Sequence, residues 1–329
     1  MTKLSISASL IIASVMVFFI SCSKEDSNDT SQSFRVTEII SDFSNGSYDS
    51  VHIQYNGEQI SSYHMHFESA TLGVSESRLD FTYPDAGSII MSFYVKDSSG
   101  NWVLSSRSKS EKSWQGNEKI VKSYSERDNA WYPVTGYIST YVGDSPEKIE
   151  HFNLDDNGDT TYWWKETFSY QNQLLKEMIY TFKNEDDWVN HHKEVADFIG
   201  DQVGSITFQY FNIATNQWED RFLNSYQYSN NKLQKKKNFV FQDESWLPSN
   251  EEYEFGYDVE GNLIYQHWVG FGAEVNKTYK YEKGKGNYDE LFISNDFSIE
   301  NSVVPRVTII GRMKENYMVG VEGGKKSDW

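Results

Sequence analysis

A short turn followed by a tryptophan recurs five times in this chain. It reads SSGNW ending at Trp102, RDNAW at Trp131, NEDDW at Trp188, ATNQW at Trp218 and QDESW at Trp246. The step is about 29 residues, and the one double step, from Trp131 to Trp188, has Tyr162, Trp163 and Trp164 near its middle. Self-similarity at a fixed short period means that one small supersecondary unit is used again and again, each burying its apolar face with its neighbours' help.

A second landmark fixes what the unit is. Turn-forming residues follow aromatic-rich stretches at the same spacing: Asn56-Gly57 after Tyr55, Asn172 after Tyr170, Asn230-Asn231 after Tyr228 and Gly261-Asn262 after Tyr257. An aliphatic residue comes next (Ile60, Leu174, Leu233, Leu263), then an alternation such as Phe208-Tyr210 or Phe239-Phe241. Period-two alternation marks strands with one buried face. Two strands of roughly nine residues and two turns use up the repeat, which leaves no room for a crossover helix, so neighbouring strands run antiparallel. With 22 Tyr, 20 Phe and 10 Trp but only 38% hydrophobic residues, rings are the main apolar resource and suit half-buried strand faces. The expected fold is all-β. It is an antiparallel meander of about eight two-stranded repeats over residues 34–286, forming a long coiled sheet, solenoid-like or partly closed. Residues 287–329, with LFISNDFSI, VVPRVTIIG and YMVGV, are expected to be terminal capping strands and a polar tail.

FGYDVEGNL, residues 255–263, carries a Tyr-Asp and Gly-Asn-Leu kernel, and YSNNKL (228–233) and FNLDDNGD (152–159) are weaker copies. This pattern resembles the YD-repeat-like sequences of bacterial secreted and surface proteins. The resemblance implies a long β-meander with no chemistry of its own.

The amino terminus reads differently. Lys3 precedes the apolar run LIIASVMVFFI, residues 10–20, which is shorter than the ~18 residues a spanning helix needs and so reads as a signal peptide over residues 1–21. Phe19-Ile20-Ser21-Cys22 is similar to a lipobox, the cleavage site of bacterial lipoproteins. That resemblance implies acylation of Cys22, the single cysteine of the chain, and enough lipid for stable anchoring. Residues 22–33 form the lipidated cysteine and a polar tether, and Ser23-Lys24-Glu25-Asp26 resembles the acidic export signal of Bacteroidota-type surface lipoproteins. The expected location is the bacterial outer membrane, lipid-anchored, with the cell surface as a candidate face.

A formal charge of −18 disfavours nucleic acid as a partner. Partners are expected to be the membrane, through lipid on Cys22, and a protein or glycan. Trp102, Trp131, Trp188, Trp218 and Trp246 are the candidate ligand-stacking residues, although rings in a chain so poor in aliphatics are first expected to serve as core. Asp155-Asp156-Asn157-Gly158-Asp159 has calcium-like oxygens but reads as a hairpin turn. His64 and His66 share a strand face without a third ligand, His191 and His192 are expected on opposite faces, and Lys235-Lys236-Lys237 reads as a solvent-facing run. Acidic pairs such as Asp186-Asp187 and Glu251-Glu252 read as solvated charge. No cofactor, metal or catalytic residue is assigned. The expected role is a non-enzymatic interaction or binding module, with a glycan-active hydrolase or a purely structural envelope protein as the alternatives.

Overall fold

The computed structural model describes residues 34–284 apart from positions 72, 144 and 186. The signal peptide, Cys22, the tether and the capping stretch from 287 therefore lie outside the described residues. Within the described residues every regular element is a strand. The order is β1 (Phe34–Phe43), β2 (Tyr48–Asn56), β3 (Gln59–Ser69), β4 (Gly73–Asp85), β5 (Ser88–Lys96), β6 (Trp102–Gln115), β7 (Glu118–Arg127), β8 (Ala130–Val142), β9 (Ser145–Leu154), β10 (Thr160–Gln171), β11 (Leu174–Asn184), β12 (Asp187–Ile199), β13 (Gln202–Asn212), β14 (Gln217–Ser229), β15 (Lys232–Gln242), β16 (Ser245–Tyr257), β17 (Leu263–Gly270) and β18 (Ala273–Lys283).

Each strand pairs antiparallel with the next, and β1 pairs with both β2 and β18. The meander thus closes on itself as an eighteen-stranded barrel. This corrects the expectation of a solenoid-like or partly closed coil. A sheet of this many strands leaves two open edges unless it closes, and the antiparallel ladder from Phe34 opposite Lys283 to Phe43 opposite Val275 removes both.

The hairpin turns repeat one solution. Consecutive positive φ values at Asn230 (51°) and Asn231 (60°) are what a two-residue hairpin with matching twist demands. Asp128-Asn129, Asn172-Gln173 and Asp243-Glu244 adopt the same conformation without glycine.

One face of the sheet is buried on strand after strand. Ile39, Ile53, Val121, Met178, Ile206 and Tyr279 have at most 4% of their surface exposed. That face is the barrel interior, and the pairing register assigns the remaining side chains to the outside. A tyrosine near the end of several even-numbered strands locks the unit from within. The hydroxyls of Tyr55, Tyr83, Tyr228 and Tyr281 donate to the carbonyls of Val36, Ile60, Val203 and Leu263 on the preceding strand, at 2.7–3.0 Å. Tyr55 and Tyr228 are among the aromatic residues that precede the turns in the sequence pattern, so in those units the period has a physical origin in this clamp.

Candidate functional site

The tryptophan series lies on the outside of the barrel near one rim, at the second position of β8, β12, β14 and β16 and the first of β6. Counting by twos from Trp218 reaches the buried Tyr226 and would place both rings inside. One extra residue prevents it. The ladder between β13 and β14 slips between Phe208 and Gln209, which face Phe222 and Asp220, so Arg221 is bulged out and the face reverses. The same slip occurs after Trp102, Trp131 and Trp188. A bulge adds one residue to one strand only, and the alternation changes sense across it. The rings are therefore half-buried on the outer wall, and the expectation that they serve mainly as inner core is corrected by these bulges. Trp163 is itself the bulged residue between Tyr162 and Trp164, which explains the irregular cluster in the series.

Cations sit against most of these rings. Lys165 Nζ is 4.4 Å from the Trp188 ring centre, Lys193 Nζ is 5.0 Å from that of Trp218, and Arg78 and Lys96 both approach Trp102 at 5.2 Å. Arg107 and Lys109 stand 5.5 Å from Trp131. Such contacts contribute roughly 0.5–1 kcal/mol at exposed sites and hold the rings flat against the wall. The aromatic quarter of the wall is β13–β16. There Phe211 packs edge-on to Trp218 and Phe241 edge-on to Trp246, each with ring centres 5.0 Å apart. A hollow opens between these pairs, lined by Gln209, Trp218, Glu219, Asp220, Arg221 and Phe241. The Gln209 amide donates to Asp220 and the Arg221 guanidinium pairs with Glu219 at 2.8 Å. Flat rings beside fixed polar groups suit a ligand with both apolar faces and hydroxyls. The sequence marks Trp218 as one of five candidate stacking rings, first expected in the core. Gln209 and Asp220 were not legible, because the bulge that aligns them is a tertiary event.

The rest of the outer wall is charged and ion-paired. Arg107–Glu126, Lys109–Glu111 and Lys148–Glu150 meet at 2.7–2.8 Å, and Lys193–Glu177 at 3.3 Å. Lys280 pairs with Glu38 across the closing seam. Lys235 and Lys237 both reach Glu252 on the outside, whereas Lys236 between them is buried inside against the Tyr253 ring. The lysine run is therefore split by the pleat, which corrects the expectation that all three face solvent. Asp155 is engaged by its own turn, accepting the backbone N–H groups of Asn157 and Asp159 at 2.9 and 2.8 Å. The YD kernel turn is built likewise, with Asp258 accepting from the N–H of Asn262 at 2.7 Å. His64 and His66 lie together on the outer face, and the described residues contain no cluster of three or more metal-ligating side chains.

Inside, β9–β12 gather a polar network that no sequence motif announces. Glu166 accepts from Trp164 Nε1 at 2.9 Å and lies 3.2 Å from His151 Nε2. Tyr180 donates to Glu194 and stacks on His192 with ring centres 3.9 Å apart. A bulge brings His191 Nδ1 to 2.7 Å from His192 Nδ1, so the two are neighbours and not on opposite faces as the alternation implied. Burial, with His191 beside it, pushes the His192 imidazole down to about 4.

No family model and no curated protein matches the chain. Among solved structures, it is similar to a porin-like protein from Bacteroides uniformis, at 9% identity and a TM-score of 0.38, over 75% of this chain and 98% of the other. A protein of unknown function from Bacteroides fragilis is similar at 12% identity and a TM-score of 0.30, over 35% of this chain and 88% of the other.

Proposed function

We propose that this chain is a lipid-anchored binding module of the bacterial envelope, whose barrel stands in water and takes a glycan on the aromatic quarter of its outer wall. The observation that carries this reading is the polarity of that wall. A closed antiparallel barrel is compatible with the outer membrane, but a spanning barrel turns an apolar band about 25 Å tall toward lipid. Here the outward positions carry Lys–Glu and Arg–Glu pairs interspersed with the tryptophans, and the buried aliphatic residues such as Ile39, Val121, Met178 and Ile206 face inward. Placing such a wall in hydrocarbon would cost roughly 2–4 kcal/mol for each cation near the bilayer midplane. Attachment then falls to Cys22 and its acyl chains, with residues 23–33 as a tether. On the water-facing wall, the hollow at Trp218 and Phe241 offers ring faces for sugar stacking, with Asp220, Gln209 and Arg221 positioned for hydroxyl groups. No step of this role requires catalysis.

Two measurements test the reading. Cys22→Ala should move the protein from the membrane fraction to the soluble fraction; a variant that stays in the membrane after alkaline extraction contradicts the anchored-barrel model. The soluble fragment 23–329 should bind members of a glycan array, with Trp218→Ala weakening binding about tenfold or more, the scale of a lost stacking ring. A clean null across the array removes the glycan ligand and leaves the anchoring result standing.

A further inference from the structure

The tyrosine clamp and the tryptophan series are separate repeats, and the wall is built without the second. Clamp hydroxyls hold the hairpins of Tyr55, Tyr83 and Tyr281 as they hold that of Tyr228. No tryptophan opens β2, β4 or β18, where those three tyrosines lie; the strands begin Tyr48-Asp49, Gly73-Val74 and Ala273-Glu274. They pair with their neighbours all the same. The rings instead occupy one uninterrupted arc. Trp102, Trp131, Tyr162, Trp188, Trp218 and Trp246 stand near the openings of β6, β8, β10, β12, β14 and β16, on the outer wall. Neighbouring strands lie about 4.8 Å apart, so rings on alternate strands are about 10 Å or more apart and the arc runs on the order of 50 Å. It extends far beyond the hollow at Trp218.

We infer that this arc is a binding track for a long, neutral polysaccharide of equatorially linked pyranoses, an inference that rests on the glycan reading and extends it beyond the hollow. A single sugar does not reach from one ring to the next, whereas an extended chain laid along the rim meets the six in turn. Equatorial linkage makes a ribbon that shows flat apolar faces again and again; axial linkage makes a helix that does not. Only the ribbon can stack repeatedly on rings fixed to a wall. Charge decides against an acidic polymer. The cations beside Trp102, Trp131 and Trp218 are already engaged, Lys96 by Glu76, Arg107 by Glu126, Lys109 by Glu111 and Lys193 by Glu177. With a formal charge of −18 on the chain, uronates or sulfates would meet repulsion. The same cations hold the rings in place, so little freedom is lost when a sugar stacks. Contacts that are weak singly gain from being made in series, because each bound sugar raises the effective concentration of the next.

The test titrates the full-length chain, in detergent, with xylan oligosaccharides of defined length. A chain of about twelve sugars should bind about tenfold or more tightly than the disaccharide. Trp131→Ala and Trp188→Ala, both outside the hollow, should each weaken the long oligosaccharide about fivefold or more and leave the disaccharide unchanged, whereas Trp218→Ala weakens both. Trp131→Leu, which refills the wall without a flat ring, serves where the alanine variant does not fold. A long chain bound no more tightly than the disaccharide, or bound equally well by the parent and by the Trp131 and Trp188 variants, overturns the track and leaves the hollow standing. Tighter binding of polygalacturonate or dextran than of xylan overturns the neutral-ribbon assignment. No binding of xylan at any length, nor of glucomannan, removes track and hollow together.

Discussion

His192 shows how far one bulged residue can change the chemistry of its neighbour. The extra residue in β12 turns the imidazole inward, where it stacks on Tyr180 and lies beside His191 and Tyr210. Burial holds it neutral down to about 4, whereas the unfolded chain protonates near 6.5. Above about pH 6.5 neither state carries the proton and stability is unaffected. As pH falls from 6.5 toward 4 the unfolded state binds the proton first, so stability declines across that window and levels off below it. Replacing His192 with Phe keeps a ring against Tyr180 and removes the titration. The expected outcome is a smaller loss of urea midpoint between pH 7 and pH 4.5 than in the parent chain. Identical pH dependence in the two proteins would show that His192 is not a source of acid sensitivity.

At the level of the strand pair, the tightest fit that depends on glycine among the described residues lies at Gly136. Gly136 in β8 faces Phe152 in β9, and a β-carbon there would stand 2.4 Å from the Val121 carbonyl oxygen and 2.6 Å from the Phe152 ring. Phe152 is almost fully buried although it points outward, lying over that glycine with Tyr162 edge-on at 5.8 Å. Because the nearest atom is backbone, Gly136→Ala should displace the strand and cost about 1–3 kcal/mol, read as a lower denaturant midpoint at unchanged slope. Gly256→Ala, whose β-carbon would meet only the Tyr265 side chain at 3.3 Å, should cost less; equal losses would refute the packing argument. The hairpin unit that sets this register was legible in the sequence. A tyrosine before several of the turns clamps the preceding strand, and the Asn and Gly positions mark turns with positive φ. The face of each tryptophan was not, because alternation is counted without knowing where a ladder slips. Trp218 and Tyr226 are an even number of residues apart, and only the bulge at Arg221 separates them. For the same reason the tryptophan series could be marked in the sequence while Gln209, Asp220 and the hollow they line could not.

Closure belongs to the whole molecule, and nothing local encodes it. A repeat period fixes how each strand meets the next, whereas the β1–β18 ladder joins Phe34 to Lys283 across the entire array. The strand count and the accumulated twist decide whether the two ends meet, and neither can be read from a single unit. Once closed, the sheet should behave as a ring without an edge. Its seam is reinforced outside by Arg35–Glu282 at 2.6 Å and Lys280–Glu38, pairs that are exposed or partly so and contribute little each. The larger contribution is inside, where Val36, Ile39, Val275 and Tyr279 are buried on the two seam strands. Native-state hydrogen exchange distinguishes this from an open coil. In a ring, the paired amides of β1 and β18 should be protected to within about tenfold of those in β11 and β12, since no strand is terminal. An open array would fray from its ends, and seam amides exchanging orders of magnitude faster than those of β11 and β12 would mean that the barrel does not stay shut. The bulge between Val36 and Glu38 interrupts the seam ladder, so Thr37 is the position where faster exchange is expected even in a closed ring.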